Sequence, residues 1–113
     1  MRFATLIATA ALTFGAAAPA FAHKLTVFAS TDCEVVLVEA KFSSGRIPVK
    51  GEVRVLDGEN ALMTTTNLGK DGTVSIPLDE IDAETGVLIE VDTGGHENYW
   101  ILTPDDISKK CQS

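Results

Sequence analysis

The stretch Val49-Lys50-Gly51-Glu52-Val53-Arg54-Val55-Leu56-Asp57, followed by Gly58-Glu59-Asn60, decides the fold. Apolar and charged residues alternate along it, the period of a strand with one face buried and one face wet. A helix would need its apolar residues three and four apart, which this run does not offer. Asp57-Gly58-Glu59-Asn60 then supplies the turn of a hairpin.

The same period extends in both directions. Upstream, Leu25, Val27 and Ala29 alternate in a first strand, and the run from Cys33 to Phe42 sets Val36, Val38 and Ala40 against Val35, Leu37 and Glu39 before Ser43-Ser44-Gly45-Arg46 turns the chain. Downstream, Ala61 to Thr66 forms the return strand, the segment from Gly69 to Gly72 turns, and Thr73-Val74-Ser75-Ile76 runs to Pro77, which ends pairing. Leu78 to Glu84 is acidic and irregular, a link between two sheets. Gly86 to Val91 is the most apolar strand, with Val87, Ile89 and Val91 facing inward. Asp92-Thr93-Gly94-Gly95 breaks it, and Tyr99-Trp100-Ile101-Leu102 is the last strand. Thr103 caps a short terminal helix opened by Pro104. About seven short strands with turn signals between them predict a small all-β sandwich of immunoglobulin-like architecture with a C-terminal helical turn.

The first 22 residues read as a leader rather than as structure. Met1-Arg2 gives a positive start, Phe3 to Gly15 is apolar and Ala-rich, and Ala16 to Ala22 supplies a small-residue exit. The apolar core is shorter than the roughly 18 to 20 residues that span a bilayer. These features predict export out of the cytoplasm, with residues 1–22 as signal peptide and 23–113 as one domain. Cleavage after Ala22 and cleavage after Ala20 both satisfy the small-x-small rule, and the first leaves Pro19 just outside the recognised tripeptide.

A domain of about 90 residues buries only some two thirds of its unfolded surface, so a covalent staple helps. Cys33 and Cys111 are the only cysteines. In an oxidising compartment an even count reads as a bridge. Closing so long a loop is worth roughly 4 kcal/mol on the loop-entropy model. The competing reading, two thiolates as a soft metal site, lacks a C-x-x-C spacing.

The chain carries a formal charge of −7, which becomes −8 when Arg2 leaves with the leader. With no basic run, the charge argues against a nucleic acid or an anionic lipid surface as partner. A negative surface attracts cations.

His23 and His96 are the only histidines. Cleavage after Ala22 makes His23 the first residue, so its free amine and imidazole chelate one ion together. Cleavage after Ala20 instead places His23 third, where amine, amide nitrogens and imidazole suit square-planar Cu(II) or Ni(II). In a sandwich the chain start and the turn before the last strand can share one end. His23 and His96 would then converge, with Glu97 or Asp92 supplying oxygen ligands. Trp100, Tyr99 and Met63 read as packing residues, and Asp79, Glu80, Asp82 and Glu84 as a solvated link. No Ser/His/Asp or Cys/His arrangement is legible, so the chain does not read as an enzyme.

Two sets of residues carry a resemblance to known families. Val49, Gly51, Val53, Val55, Asp57 and Leu62, then Gly72 and Ile76, resemble the centre of carboxypeptidase-regulatory-like, or transthyretin-like, sandwiches. The leader ending in Ala-His-Lys-Leu-x-Val-Phe-Ala, with Val91-Asp92-Thr93-Gly94-Gly95-His96, is similar to small periplasmic proteins associated with nickel and cobalt uptake transporters. The resemblance implies a domain beside a membrane transporter that handles nickel or cobalt before transport. A metal-free scaffold or interaction sandwich is the alternative. A copper-dependent oxidative enzyme built on an amino-terminal histidine is a third reading, weakened by the few aromatics available for a polysaccharide-binding face.

Overall fold

Alternation becomes two sheets. The computed structural model describes residues 24–111; the leader, both cleavage positions and His23 lie outside the described residues. Strands β1 (Leu25–Thr31), β2 (Val35–Phe42) and β5 (Thr73–Pro77) form one antiparallel sheet in the order β1-β2-β5. Strands β3 (Glu52–Asp57), β4 (Leu62–Asn67), β6 (Val87–Asp92) and β7 (Glu97–Leu102) form the other in the order β4-β3-β6-β7. A single 3₁₀ turn, Leu78–Glu80, begins the link from β5 to β6, and helix α1 (Pro104–Cys111) closes the chain. Among the described residues no helix is long and apolar enough to cross a membrane.

The core is the set of inward positions that the period-two reading names. Val36 and Val38 of the first sheet and Val53, Val55, Val87, Ile89 and Val91 of the second are fully buried. Each such side chain contributes about 1.5–3 kcal/mol relative to remaining exposed. Leu25, Val27, Ala29, Ala40 and Ile76 complete the layer from the first sheet, and Leu102 and Ile107 seal one end.

The opening stretch holds with one change. Strand β3 begins at Glu52, not Val49, and Val49 is 97% exposed. The segment between Phe42 and Glu52 must carry the chain from one sheet to the other, so Val49 sits on a crossover and buries nothing. Pairing starts at Gly51, whose carbonyl accepts the Leu68 N–H at 2.9 Å.

The hairpin after β3 turns at Asp57-Gly58-Glu59-Asn60, as its residues predict. Asn60, not Gly58, takes the left-handed backbone, with φ 68°. This is the three-residue loop that ends on a left-handed residue. Gly58 is required for close approach instead, since a Cβ there would lie 2.0 Å from the Thr85 carbonyl oxygen. Its N–H also donates to Thr85 Oγ1 at 3.0 Å, which pins the link to the hairpin. The clash is with backbone, so Gly58→Ala should lose about 1–3 kcal/mol, the overpacking range. Urea denaturation of the variant checks this.

Cys33 and Cys111 are joined, with S–S 2.11 Å and Cα–Cα 4.9 Å. The bridge ties the β1–β2 hairpin to the last residue of α1. At the other end of that helix, Thr103 Oγ1 accepts the Asp106 N–H at 3.1 Å and Asp106 Oδ2 accepts the Thr103 N–H at 2.9 Å, a reciprocal cap.

Three exposed carboxylates organise turns and are held below their usual range. Asp32 accepts backbone N–H groups of Glu34 and Val35, Asp71 accepts the Thr73 hydroxyl and N–H, and Asp106 accepts the Thr103 N–H. A depressed folded-state pKa adds stability above the unfolded value, 3.8, and that stability fades as pH falls through the folded value. Denaturation midpoints should therefore drop as pH falls below about 4, and Asp71→Asn should flatten part of that fall.

Candidate metal site

The turn that carries His96 is a two-residue hairpin between β6 and β7. Thr93 N–H and Thr93 Oγ1 both donate to the His96 carbonyl, at 2.9 and 3.2 Å. Gly94 has φ +101° while Gly95 stays outside the positive-φ region. Positive φ at the first central position alone is the type II′ pattern, which matches the twist of the flanking strands. One glycine, not both, therefore sets the direction in which His96 leaves the turn.

That direction is toward the first sheet. The His96 ring meets the Phe42 ring edge-on, with centroids 5.3 Å apart and planes at 75°. Phe42 is the last residue of β2 and is the register partner of Leu25, the first residue of β1. Lys24 is held at the same place, its carbonyl accepting Ser43 N–H at 2.7 Å and its N–H donating to Ser43 Oγ at 3.2 Å.

A second contact fixes the same end. Asn98 Nδ2 donates to the Leu25 carbonyl at 2.8 Å, and Asn98 Oδ1 accepts the Tyr99 N–H at 2.9 Å. One amide thus bridges an outward carbonyl of β1 to an outward N–H of β7. Farther along the same seam, Trp100 and Phe28 meet edge-on with centroids 5.0 Å apart. The start of β1 is therefore held beside the residues that follow His96.

The carboxylates are placed elsewhere. Asp92 and Glu97 are register partners across the hairpin, so they share one face of the sheet. They lie in phase with Glu90 and Tyr99 on its outer side, whereas His96 lies one position out of phase and meets Phe42. Asp92 Oδ1 also accepts the Gly94 N–H at 2.8 Å. Among the described residues, no three of the His, Cys, Asp and Glu side chains gather as a metal-binding group. His96 thus faces the start of β1, while Asp92 and Glu97 lie on the other face of the sheet. A comparison with protein-family models, with curated proteins and with solved structures returned no match.

Two residues that shape this end, Phe42 and Asn98, escape the sequence reading. Phe42 reads only as the end of a strand. Asn98 carries a signal, being an amide opposite the fully buried Val91 in a strand otherwise rich in aromatic and aliphatic residues. Other candidates fall into structural roles. Met63 is the extra residue of a bulge, because Val55 pairs with Thr64 and Leu56 with Leu62, and its sulfur accepts the Asp82 N–H at 3.3 Å. Asp79, Glu80, Asp82 and Glu84 are exposed along the link.

Proposed function

We propose that this is an exported metal-binding protein that takes up nickel or cobalt, with copper as the alternative ion, through His96 and the amino-terminal His23. On this reading it serves a membrane uptake transporter from the periplasmic side. The observation that carries the reading is the packing of His96 on Phe42, the residue paired with Leu25, two positions from His23.

The chemistry follows from the donors. A chain that begins at His23 offers a primary amine and an imidazole on one residue, a bidentate pair that displaces water with little loss of conformational freedom. The His96 imidazole supplies a third nitrogen, a set suited to late first-row divalent ions. Three protein ligands leave positions open for water or for a receiving group. Open positions suit uptake and hand-over, whereas structural sites close their shell. The net negative charge draws cations toward the surface. Asp92 and Glu97, on the other face, contribute to this field rather than to the three-nitrogen set.

The separation of His96 from these carboxylates favours the second reading, a metal-free scaffold. Calorimetric titration of the periplasmically processed protein with Ni(II), Co(II) and Cu(II), beside a version with one residue added before His23, decides between them. The metal reading expects binding that the added residue removes. The scaffold reading expects no binding by either.

A further inference from the structure

Four strands end the two sheets, and three of their edges are blocked. The edges of β1 and β7 face each other, bridged by Asn98 between Leu25 and Tyr99 and flanked by Phe28 on Trp100. Strand β5 is blocked by its own turn. Ala40 N–H donates to Gly72 O and Leu78 N–H to Glu34 O, so alternate residues from Gly72 to Leu78 bond to β2. Thr73, Ser75 and Pro77 point the other way. There, Thr73 N–H donates to Asp71 Oδ1, Thr73 O accepts Gly69 N–H, and Pro77 has no N–H to offer. Only Ser75 remains with both groups open.

Strand β4 is different. Leu68 N–H donates to Gly51 O, which sets the phase of the β3–β4 ladder, so Thr66 and Thr64 bond inward and Asn67 and Thr65 present their N–H and C=O outward. No described residue meets those outward groups. The strand reads Leu-Met-Thr-Thr-Thr-Asn, with neither charge nor proline. Charge and proline are the usual protections of an exposed edge, and the bulge at Met63 protects only its first part. The sheet that ends in β4 has four strands against three, and its far edge is already matched to β1. Strand β4 therefore overhangs the side of the sandwich.

We infer that β4 is a self-association edge, at which two copies of this protein pair antiparallel about a two-fold axis through Thr65. This register places Thr65 opposite Thr65 of the second copy, with exchange of both backbone bonds, and Thr64 opposite Thr66. Asn67 stands opposite Met63. Threonine pairs across a sheet are favourable, and no like charges meet. The same register brings the turn carrying Lys70 in one copy toward the turn carrying Glu59 in the other, and both residues are exposed. The product is one continuous eight-stranded sheet, built from the four-stranded sheet of each copy. A contact of five residues per copy, Met63 to Asn67, falls at the small end of specific interfaces, so the association is weak and reversible.

The test is sedimentation velocity of the processed full chain over a micromolar to millimolar series, with amide hydrogen exchange at both ends of the series. Dimer formation with slowed exchange at Thr65 and Asn67 is expected. Thr65→Lys should weaken dimerisation by more than about tenfold, because two lysines would face each other on the axis. Thr65→Pro should do the same by removing an outward N–H that the monomer's own ladder does not use, so its thermal midpoint should hold. A protein that stays monomeric throughout overturns the inference. So does a dimer that survives both substitutions, or one whose formation leaves Thr65 and Asn67 exchange unchanged.

Discussion

Reducing the Cys33–Cys111 bridge, or replacing both cysteines by serine, should lower stability by about 4 kcal/mol, the loop-entropy value for a bridge this long. The sequence separation is 78 residues, so the bridge closes nearly the whole described chain. Small domains hold only about 5–15 kcal/mol in total, so the loss is a large fraction of the whole. For a chain of this size it corresponds to a fall in Tm of about 15 °C or more. The local structure refines the expectation. Cys33 holds φ 84°, a left-handed backbone that non-glycine residues adopt at a cost of about 1–2 kcal/mol. Asp32 Oδ1 bonded to Glu34 and Val35, and Thr31 Oγ1 bonded to the Val35 carbonyl, hold the hairpin in that conformation. The pair Cys33→Gly with Cys111→Ser should therefore recover part of what the double serine variant loses. Guanidinium denaturation of the three proteins, read with the oxidised parent, measures both terms. A double serine variant within 1 kcal/mol of the parent would contradict this account of the staple.

The helix should feel the loss first. Only Ile107 of α1 is buried, so the helix has a small apolar footing beside the cap at Thr103 and the bridge at Cys111. On reduction its amides should exchange faster than those of β3 and β6, which hold the fully buried valines.

What the sequence discloses and what it hides divide along physical lines. The inward faces of β2, β3 and β6 are legible because Val36, Val38, Val53, Val55, Val87, Ile89 and Val91 recur every second residue, and alternation is a local property. The cap at Thr103 and the break at Gly94 are legible for the same reason. The start of β3 is not, because Val49 continues the alternation while the chain crosses between sheets. Sheet membership is also hidden. That β5 pairs with β2, while β3 pairs with β4 and β6, depends on contacts distant in sequence. The candidate site divides likewise. Sequence neighbours Asp92, His96 and Glu97 read as one cluster, yet the pleat sends His96 to Phe42 and the carboxylates to the outer face. The partner of His96 in space lies on β2, a relation that no local pattern encodes.

The second large effect concerns metal affinity. His96→Ala in the processed protein should weaken Ni(II) or Co(II) binding by more than about 100-fold, beyond the loss expected from an outer-shell partner. The ring is exposed and meets Phe42 edge-on, so the fold should survive its removal. Asp92→Asn and Glu97→Gln should change affinity far less, because these side chains stand on the opposite face. Equal losses from His96→Ala and Glu97→Gln would place the ion at the hairpin rather than at the chain start.

The most direct measurement is a nuclear magnetic resonance titration of the processed protein with paramagnetic Co(II), following the His96 ring together with Leu25 and Phe42. The account predicts that these signals broaden or shift first and together, at less than one equivalent of metal, and that one residue added before His23 abolishes the effect. Signals of His96, Leu25 and Phe42 that stay unmoved, while those of the acidic link from Asp79 to Glu84 broaden, would contradict it.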